Sequence, residues 1–148
     1  MKKYNVGIIG ATGMGGQRLI TLLAEHPWFH ITMLAASPKS AGKTYQEAVE
    51  GRWAMKTPLP EKIGAMPVYD ASADAEKIAS SVDFVFCAIS LDKNATRELE
   101  ERYAKLECPV MSNNSAHRFT PDVPMIIPEL NWKHEEIIPY QRKRLGSK

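Results

Sequence analysis

At 148 residues, the chain is long enough for one domain with a sizeable core and leaves little room for a second. Its formal net charge of +2 is small and dispersed, which argues against a nucleic-acid partner. Its apolar runs are far shorter than the roughly 20 residues of a membrane span, and its N-terminus lacks the pattern of a signal peptide. Two cysteines, Cys87 and Cys108, without a disulfide framework lead us to expect a cytoplasmic protein.

The hydrophobic pattern alternates between strand-like and helix-like segments along the chain. We predict strands at 6–9, 30–36, 82–89, 109–112 and 125–127. We predict helices at 17–25, 46–49, 73–80 and 92–107. The strongest strand signal is VDFVFCAI at 82–89, which is continuously apolar, as expected of a strand covered on both faces. This alternation predicts an α/β, Rossmann-like fold whose mostly parallel sheet carries helices on both faces.

The first predicted strand leads directly into a glycine cluster and then into a helical pattern. Gly10, Gly13 and Gly16 are spaced as G-x-x-G-x-x-G. In this context glycine allows a sharp turn and close approach of a pyrophosphate, and the helix N-terminus supplies unpaired N–H groups. We therefore predict a dinucleotide-binding turn, with a ligand-free turn as the alternative. Gly15, which costs about 1 kcal/mol relative to alanine in a helix, either permits closer phosphate approach or is a tolerated defect.

The stretch that follows the second predicted strand indicates which dinucleotide binds. NAD-binding folds place an acidic residue here for the ribose 2′-hydroxyl, but no Asp or Glu occurs between His26 and Glu47. Hydroxyl and ammonium groups can hold a 2′-phosphate, so we predict NADP rather than NAD, with an ordinary polar loop as the alternative. The groups concerned belong to Ser37, Lys39, Ser40 and Lys43.

The same stretch contains SPKSAGKT at 37–44, which ends like the phosphate-binding loop of nucleoside triphosphatases. That loop requires glycine at the position of Ser37, and Pro38 removes one amide of the cradle. A triphosphatase would also need Lys43 to bind phosphate. The two departures disfavour this alternative.

Four segments together resemble the aspartate-β-semialdehyde dehydrogenase family in its archaeal and fungal form, also found in some bacteria: GIIGATGMGGQRL, AASPKSAGKTY, FCAIS and SNNSAHRFTPDVPMIIPELN. The resemblance extends from about residue 6 to about residue 131. It implies NADPH-dependent reductive dephosphorylation of L-aspartyl-4-phosphate to L-aspartate-4-semialdehyde, on the route to lysine, threonine and methionine. It implies a small-molecule substrate, leaves a homo-oligomer open, and involves neither nucleic acid nor a membrane.

The resemblance also implies a set of site residues. The expected NADP contacts are Gly10, Thr12, Gly13, Met14 and Gly15 at the phosphates, Ser37 and Ser40 at the 2′-phosphate, and Ala88 and Ser90 beside the nicotinamide ribose. Arg118 corresponds to the arginine that binds the substrate phosphate, with Asn113 beside it. A guanidinium suits this role because it can bind phosphate through two parallel hydrogen bonds. Its pairing with Asp122 or Glu129 is the alternative.

Two departures from the family pattern limit what we expect. The family has a branched apolar residue where Gly15 stands, and its nucleophile is a cysteine of an Asn-Cys pair beyond residue 148. Neither Cys87, inside an apolar strand, nor Cys108, before a proline, has that context. We therefore expect one NADP-binding domain over 1–148, without the catalytic and dimerisation domain and inactive alone. We expect His117 to be a loop histidine, and we expect no metal site.

Three alternatives stay open beside this interpretation. Reductases for N-acetylglutamyl phosphate and for malonyl-CoA share the cofactor fold and the thioester chemistry. A non-catalytic NADP-binding module is an alternative from a different class.

Overall fold

The apolar runs of the sequence form five strands that pair into one sheet. The structure, a computed structural model, describes residues 2–148. Its strands are β1 Tyr4–Ile9, β2 Phe29–Ala36, β3 Val68–Asp70, β4 Phe84–Cys87 and β5 Val110–Ser112. Its α-helices are α1 Met14–Leu23, α2 Tyr45–Ala48, α3 Glu61–Gly64, α4 Ala75–Ser81, α5 Lys93–Lys105, α6 Pro128–Asn131 and α7 Ile138–Leu145. A 3₁₀ helix, Trp132–Ile137, joins α6 to α7.

The sheet has the strand order β3-β2-β1-β4-β5, and every neighbouring pair is parallel. The chain moves outward from β1 to β3 and then crosses back to place β4 on the other side of β1. The connections therefore reverse direction between β1 and β4. In open parallel sheets, a crevice forms at such a point beyond the carboxyl ends of the strands, and ligands bind there.

Both faces of the sheet are covered, which confirms the predicted architecture. On one face, Ile8 packs with Ile20 of α1 and Tyr45 of α2. On the other face, Ile9 packs with Ile78 of α4 and Leu99 of α5. Adjacent residues of β1 thus serve opposite cores, because successive side chains of a strand alternate between faces. This double coverage explains why the central strands are continuously apolar.

The predicted strand at 125–127 is wrong. The segment lies between Pro124 and Pro128, and proline lacks the N–H group that a strand ladder uses. The N–H of Ile127 instead donates to the side-chain oxygen of Asn131 at 2.7 Å. The segment therefore leads into α6 rather than joining the sheet.

The sequence pattern does not predict β3 or α7. β3 is three residues long and depends on its register against the end of β2, where Ala36 pairs with Asp70. Every residue of α7 is at least partly exposed, so the helix has no buried apolar stripe to recognise. Its Arg144 binds Glu101 at 2.7 Å and Asp122 at 2.5 Å, and these ion pairs fix α7 beside α5.

The C-terminal third of the chain exposes several large apolar side chains, including Phe119 at 95% and Leu130 at 78% exposed. These side chains are scattered over loops and short helices rather than gathered on one long helix. Within the described residues, 2–148, no helix has the length and hydropathy that crossing a bilayer requires.

Candidate functional site

The glycine turn, residues 10–16, passes directly against the carboxyl end of β4. The N–H groups of Gly10 and Ala11 both donate to the carbonyl oxygen of Ala35 in β2, at 2.8 and 3.0 Å. Gly10 has a φ of +84°, and a Cβ there would lie 2.5 Å from the carbonyl oxygen of Ala88 and 2.7 Å from Cα of Ile89. Only glycine fits this backbone conformation and this space. The turn is therefore built on a close backbone contact between β1 and β4.

Two carbonyl groups of the turn, those of Ala11 and Thr12, accept hydrogen bonds from buried side chains. The hydroxyl of Tyr45, a fully buried side chain, donates to the carbonyl oxygen of Ala11 at 2.7 Å. Burial raises the pKa of Tyr45 well above its ordinary value, so this hydroxyl keeps its proton and remains a donor. Sequence reasoning missed Tyr45, because a contact between residues this far apart leaves no periodic trace.

Gln17 fixes the next part of the same turn. Its side chain is 2% exposed and donates to the carbonyl oxygens of Thr12 at 3.1 Å and Arg52 at 3.0 Å. Its side-chain oxygen accepts from the N–H of Ala54 at 2.8 Å. The backbone N–H of Gln17 donates to the carbonyl oxygen of Gly13 at 2.9 Å. Sequence reasoning missed Gln17 as well, because only folding brings Arg52 and Ala54 next to it.

The N–H groups that open α1 have no acceptor within the helix. Gly13 is the N-cap and has no side chain that could accept from them. The first helical hydrogen bond is donated by Gln17, so the N–H groups of Met14, Gly15 and Gly16 precede it. The first turn holds no acidic residue, and Met14 is 71% exposed. Unpaired N–H groups and the positive end of the helix dipole suit the phosphates of a dinucleotide.

A crevice of about 310 Å³ opens beside Gly15 of this helix end, beyond the carboxyl ends of β4 and β5. Four of the predicted site residues line it together: Gly15, Ala88, Ser90 and Asn113. A Cβ on Gly15 would lie 3.2 Å from Cβ of Ala88 and 3.8 Å from Nδ2 of Asn113. Gly15 therefore widens the crevice, which favours the first of the two explanations for this glycine.

The loop after β2 forms a tight turn at the same edge of the sheet. The N–H groups of Ser40 and Ala41 donate to the carbonyl oxygen of Ser37, at 3.0 and 3.3 Å. Ser37 and Lys39 are exposed, whereas Ser40 is 6% exposed and lies inside the turn. Ser37 and Lys39 are thus open to a ligand, as is the exposed Lys43 further along the loop.

The end of this loop does not form a triphosphate cradle. Thr44 is the N-cap of α2, a helix of four residues. The N–H of Thr44 donates to the carboxylate of Glu47 at 2.9 Å, and the hydroxyl of Thr44 accepts from the N–H of Glu47 at 3.3 Å. A carboxylate at this helix end repels phosphate. The arrangement argues against the triphosphatase alternative.

Arg118 lies apart from the crevice. It is exposed and lines a separate groove of about 580 Å³ beside β5, and Asn113 lines both cavities. The proposed partner Asp122 is bound by Arg144, which lowers the pKa of that carboxyl group. Asp122 therefore pairs with Arg144 and not with Arg118. Asn113 joins the two cavities through its position directly after β5.

Neither cysteine is a reactive thiol. Cys87 is 2% exposed, and burial together with the nearby Glu100 raises its pKa to about 12. Cys108 is also 2% exposed, and burial raises its pKa to about 11. A nucleophilic cysteine needs the opposite environment, which lowers the pKa and admits the substrate.

His117 is a buried loop histidine, which confirms the prediction. It is 8% exposed, its Nδ1 lies 3.0 Å from the hydroxyl of Thr120, and its Nε2 lies 3.4 Å from the carbonyl oxygen of Arg97. Both ring nitrogens therefore serve to hold the loop. Across residues 2–148, histidine, cysteine and carboxylate side chains do not converge in groups of three or more that could bind a metal ion.

The sequence of the chain is similar to those of known dehydrogenases and reductases. The family model described as "Semialdehyde dehydrogenase, NAD binding domain" matches residues 5–138. The chain is 42% identical over 147 residues to the aspartate-semialdehyde dehydrogenase of Archaeoglobus fulgidus, covering 97% of this chain and 40% of that protein. It is 39% identical over 143 residues to the malonyl-CoA reductase (NADP) of Metallosphaera sedula, covering 97% of this chain and 38% of that protein.

A solved structure shows the same fold. The aspartate-semialdehyde dehydrogenase of Candida albicans, crystallised with NADP, superposes with a TM-score of 0.83 at 32% identity. The match covers 99% of this chain and 40% of that one. The chain thus spans about 40% of the length of the relatives it matches.

The close packing of the glycine turn predicts that two glycine substitutions differ in how much stability they cost. A Cβ at Gly16 would overlap the carbonyl oxygen of Gly10 and lie 2.6 Å from Cα of Ala11. We expect Gly16→Ala to lower the free energy of unfolding by about 2–3 kcal/mol, although alanine is ordinarily the better helix former by about 1 kcal/mol. Gly13→Ala is the matched control. Its Cβ would lie 3.7 Å from its nearest neighbour, so we expect it to lower the free energy of unfolding much less. Denaturant unfolding measures both variants, and equal losses would contradict the packing argument.

The burial of both thiols predicts that they are inert in the folded protein. At about pH 8, an aromatic disulfide reagent should label neither Cys87 nor Cys108 until denaturant is added. The pKa values of about 12 and 11 lie above the ordinary value of 9.0. The stability that these neutral thiols contribute is therefore complete below pH 9.0 and is lost as the pH rises towards 12. Single Cys87→Ser and Cys108→Ser variants show which thiol reacts when the protein is denatured. Rapid labelling of the native protein would contradict the prediction.

Proposed function

The chain belongs to the semialdehyde dehydrogenase family, whose NAD-binding domain model it matches over residues 5–138, and on that premise we propose that it binds NADP. The observation that carries the proposal is the helix end of Gly13, Met14 and Gly15, which has no side-chain cap and borders the crevice beyond β4 and β5. Backbone N–H groups there bind the pyrophosphate, together with the turn at Gly10 and Thr12. Ala88 and Ser90 contact the nicotinamide ribose.

The end of β2 supports NADP over NAD. Ser37 and Lys39 are exposed there, and no Asp or Glu follows β2 before Glu47. The neighbouring carboxylate at the end of β3, Asp70, already accepts from the N–H groups of Ser72 and Ala73 at 2.8 Å each. A 2′-phosphate therefore meets a hydroxyl and an ammonium group, and the buried Ser40 supports the same turn.

We propose further that the chain serves an aspartate-semialdehyde dehydrogenase, which converts L-aspartyl-4-phosphate to L-aspartate-4-semialdehyde and phosphate. Bound NADPH supplies the hydride in this reaction. Arg118 and Asn113 bind the phosphate of the small-molecule substrate. Cys87 and Cys108 are too buried and too weakly acidic to form the thioester, so these 148 residues act as one NADP-binding domain and do not turn over substrate alone.

The similarity to a malonyl-CoA reductase supports a second candidate. Both reactions reduce an activated carboxyl group with NADPH, and they differ in the leaving group, phosphate or coenzyme A. In this chain the leaving group, phosphate or coenzyme A, would bind in the groove that Arg118 lines. The ligand of that groove therefore distinguishes the two candidates.

Calorimetric titration of the chain with NADP and with NAD tests the cofactor assignment. We expect NADP to bind about 10-fold more tightly, because Lys39 and Ser37 interact with the 2′-phosphate. Lys39→Ala should weaken NADP binding about 5-fold and leave NAD binding unchanged, whereas the exposed Lys105→Ala on α5 should change neither. Tighter binding of NAD, or binding of neither dinucleotide, would overturn the proposal.

Titration with inorganic phosphate and with coenzyme A, followed by NMR, tests the substrate assignment. We expect phosphate to shift the resonances of Arg118 and Asn113, and Arg118→Ala to abolish these shifts. Arg118→Lys should retain only part of the effect, since an ammonium group lacks the paired donors of a guanidinium. Shifts at Arg118 with coenzyme A but not with phosphate would favour the malonyl-CoA reductase instead.

A further inference from the structure

Glu100 is a buried carboxylate on the inner face of α5. It is 6% exposed, and its Oε1 accepts from the hydroxyl of Ser112 at 2.5 Å and from Nδ2 of Asn114 at 3.0 Å. Both donors are neutral. The ion pairs of residues 2–148 involve other carboxylates, namely Glu76, Glu101, Glu107 and Asp122.

A charge buried without an ion pair lowers stability unless it makes compensating hydrogen bonds. An apolar residue would pack at this position of α5 without that loss, as the neighbouring Leu99 does at 7% exposed. Glu100 therefore contributes something other than packing. Its two hydrogen bonds both reach the short turn that begins at Ser112, the last residue of β5, so the turn is where its effect lies.

That turn, residues 112–114, is braced from several directions. The hydroxyl of Ser112 accepts from the N–H of Asn114 at 3.0 Å while it donates to Glu100. Nδ2 of Asn114 also approaches Sγ of Cys87 at 3.3 Å. The N–H of Asn113 donates to the carbonyl oxygen of Cys87 at 2.8 Å. Asn113 is thus held between two residues that Glu100 fixes directly.

Asn113 faces the first turn of α1 across the crevice. Its Nδ2 would lie 3.8 Å from a Cβ placed on Gly15, and both residues line the crevice with Ala88 and Ser90. The amide of Asn113 is therefore positioned opposite the N–H groups that the proposed function assigns to the dinucleotide. A shift of the 112–114 turn would move this wall of the crevice.

We propose that Glu100 is a positioning residue for the cofactor: its carboxylate fixes the 112–114 turn and so holds Asn113 as the wall of the crevice against which NADP lies. Asn113 also lines the groove of Arg118, where the proposed function assigns it to the substrate phosphate. The inference rests on the proposed NADP binding and adds to it a residue that does not touch the ligand. Arg97 of α5 holds a later part of the chain, the loop after the 112–114 turn, by donating to the carbonyl oxygen of Ala116 at 3.0 Å. Among the hydrogen bonds of residues 2–148, those of Glu100 connect α5 to the turn that carries Asn113.

The test compares NADP affinity and thermal stability across a set of variants of the full chain. We expect Glu100→Ala to weaken NADP binding about 5-fold. Glu100→Gln, which retains a side-chain oxygen for both donors, should bind within about 2-fold of the wild type. Glu98→Ala is the matched control, because Glu98 is exposed on the same helix and should leave the affinity unchanged.

A double-variant cycle separates positioning from a general loss of stability. In the Asn113→Ala background, Glu100→Ala should add less than about 2-fold, because its effect passes through Asn113. Wild-type affinity in a folded Glu100→Ala variant, or additive effects in the cycle, would overturn the inference and leave NADP binding intact. If Glu100→Ala does not fold, Ser112→Ala is measured in its place. Unchanged NADP affinity in Ser112→Ala would also overturn the inference. Absence of NADP binding by the wild type would overturn the proposed function together with this inference.

Discussion

The close contact between the backbone of the glycine turn and the end of β4 is the constraint on which the rest of the structure depends. Gly10 lies against Ala88, and Gly16 lies against Gly10 and Ala11, with no room for a Cβ at either glycine. This contact sets α1 directly on the sheet and places its N-terminus at the point where the strand order reverses. The direction of the helix dipole and the position of Gly15 and Ala88 at the crevice follow from it.

Two buried side chains also fix the carbonyl groups of the turn. Tyr45 and Gln17 bind the carbonyl oxygens of Ala11 and Thr12 from the protein side, while the first N–H groups of α1 keep no partner in the helix and Gly15 borders the crevice. A site whose donors are already oriented loses little conformational entropy when an anion binds. The two side chains thus prepare the turn for phosphate without approaching the ligand. Glu100 prepares the opposite wall of the crevice in the same way, through Ser112 and Asn114.

The parts of the fold that could be predicted from the sequence are those with a local or periodic signal. The spacing of Gly10, Gly13 and Gly16 between a strand and a helix predicts the turn, and the continuous apolar run around β4 predicts a central strand. β3 could not be predicted, because three residues gain their structure only from register against β2. The roles of Tyr45, Gln17 and Glu100 depend on contacts made after folding, so no local pattern reveals them.

Cys87 shows why closeness in sequence to a site does not make a residue reactive. It immediately precedes Ala88, which lines the crevice, but its side chain belongs to the core between the sheet, α4 and α5. Burial is the main reason that its pKa is high, and the negative charge of Glu100 raises it further because a thiolate would be repelled there. The carboxylate that braces the 112–114 turn thus also keeps the nearest thiol protonated. Burial and the neighbouring Glu100 together keep the thiol beside the crevice protonated.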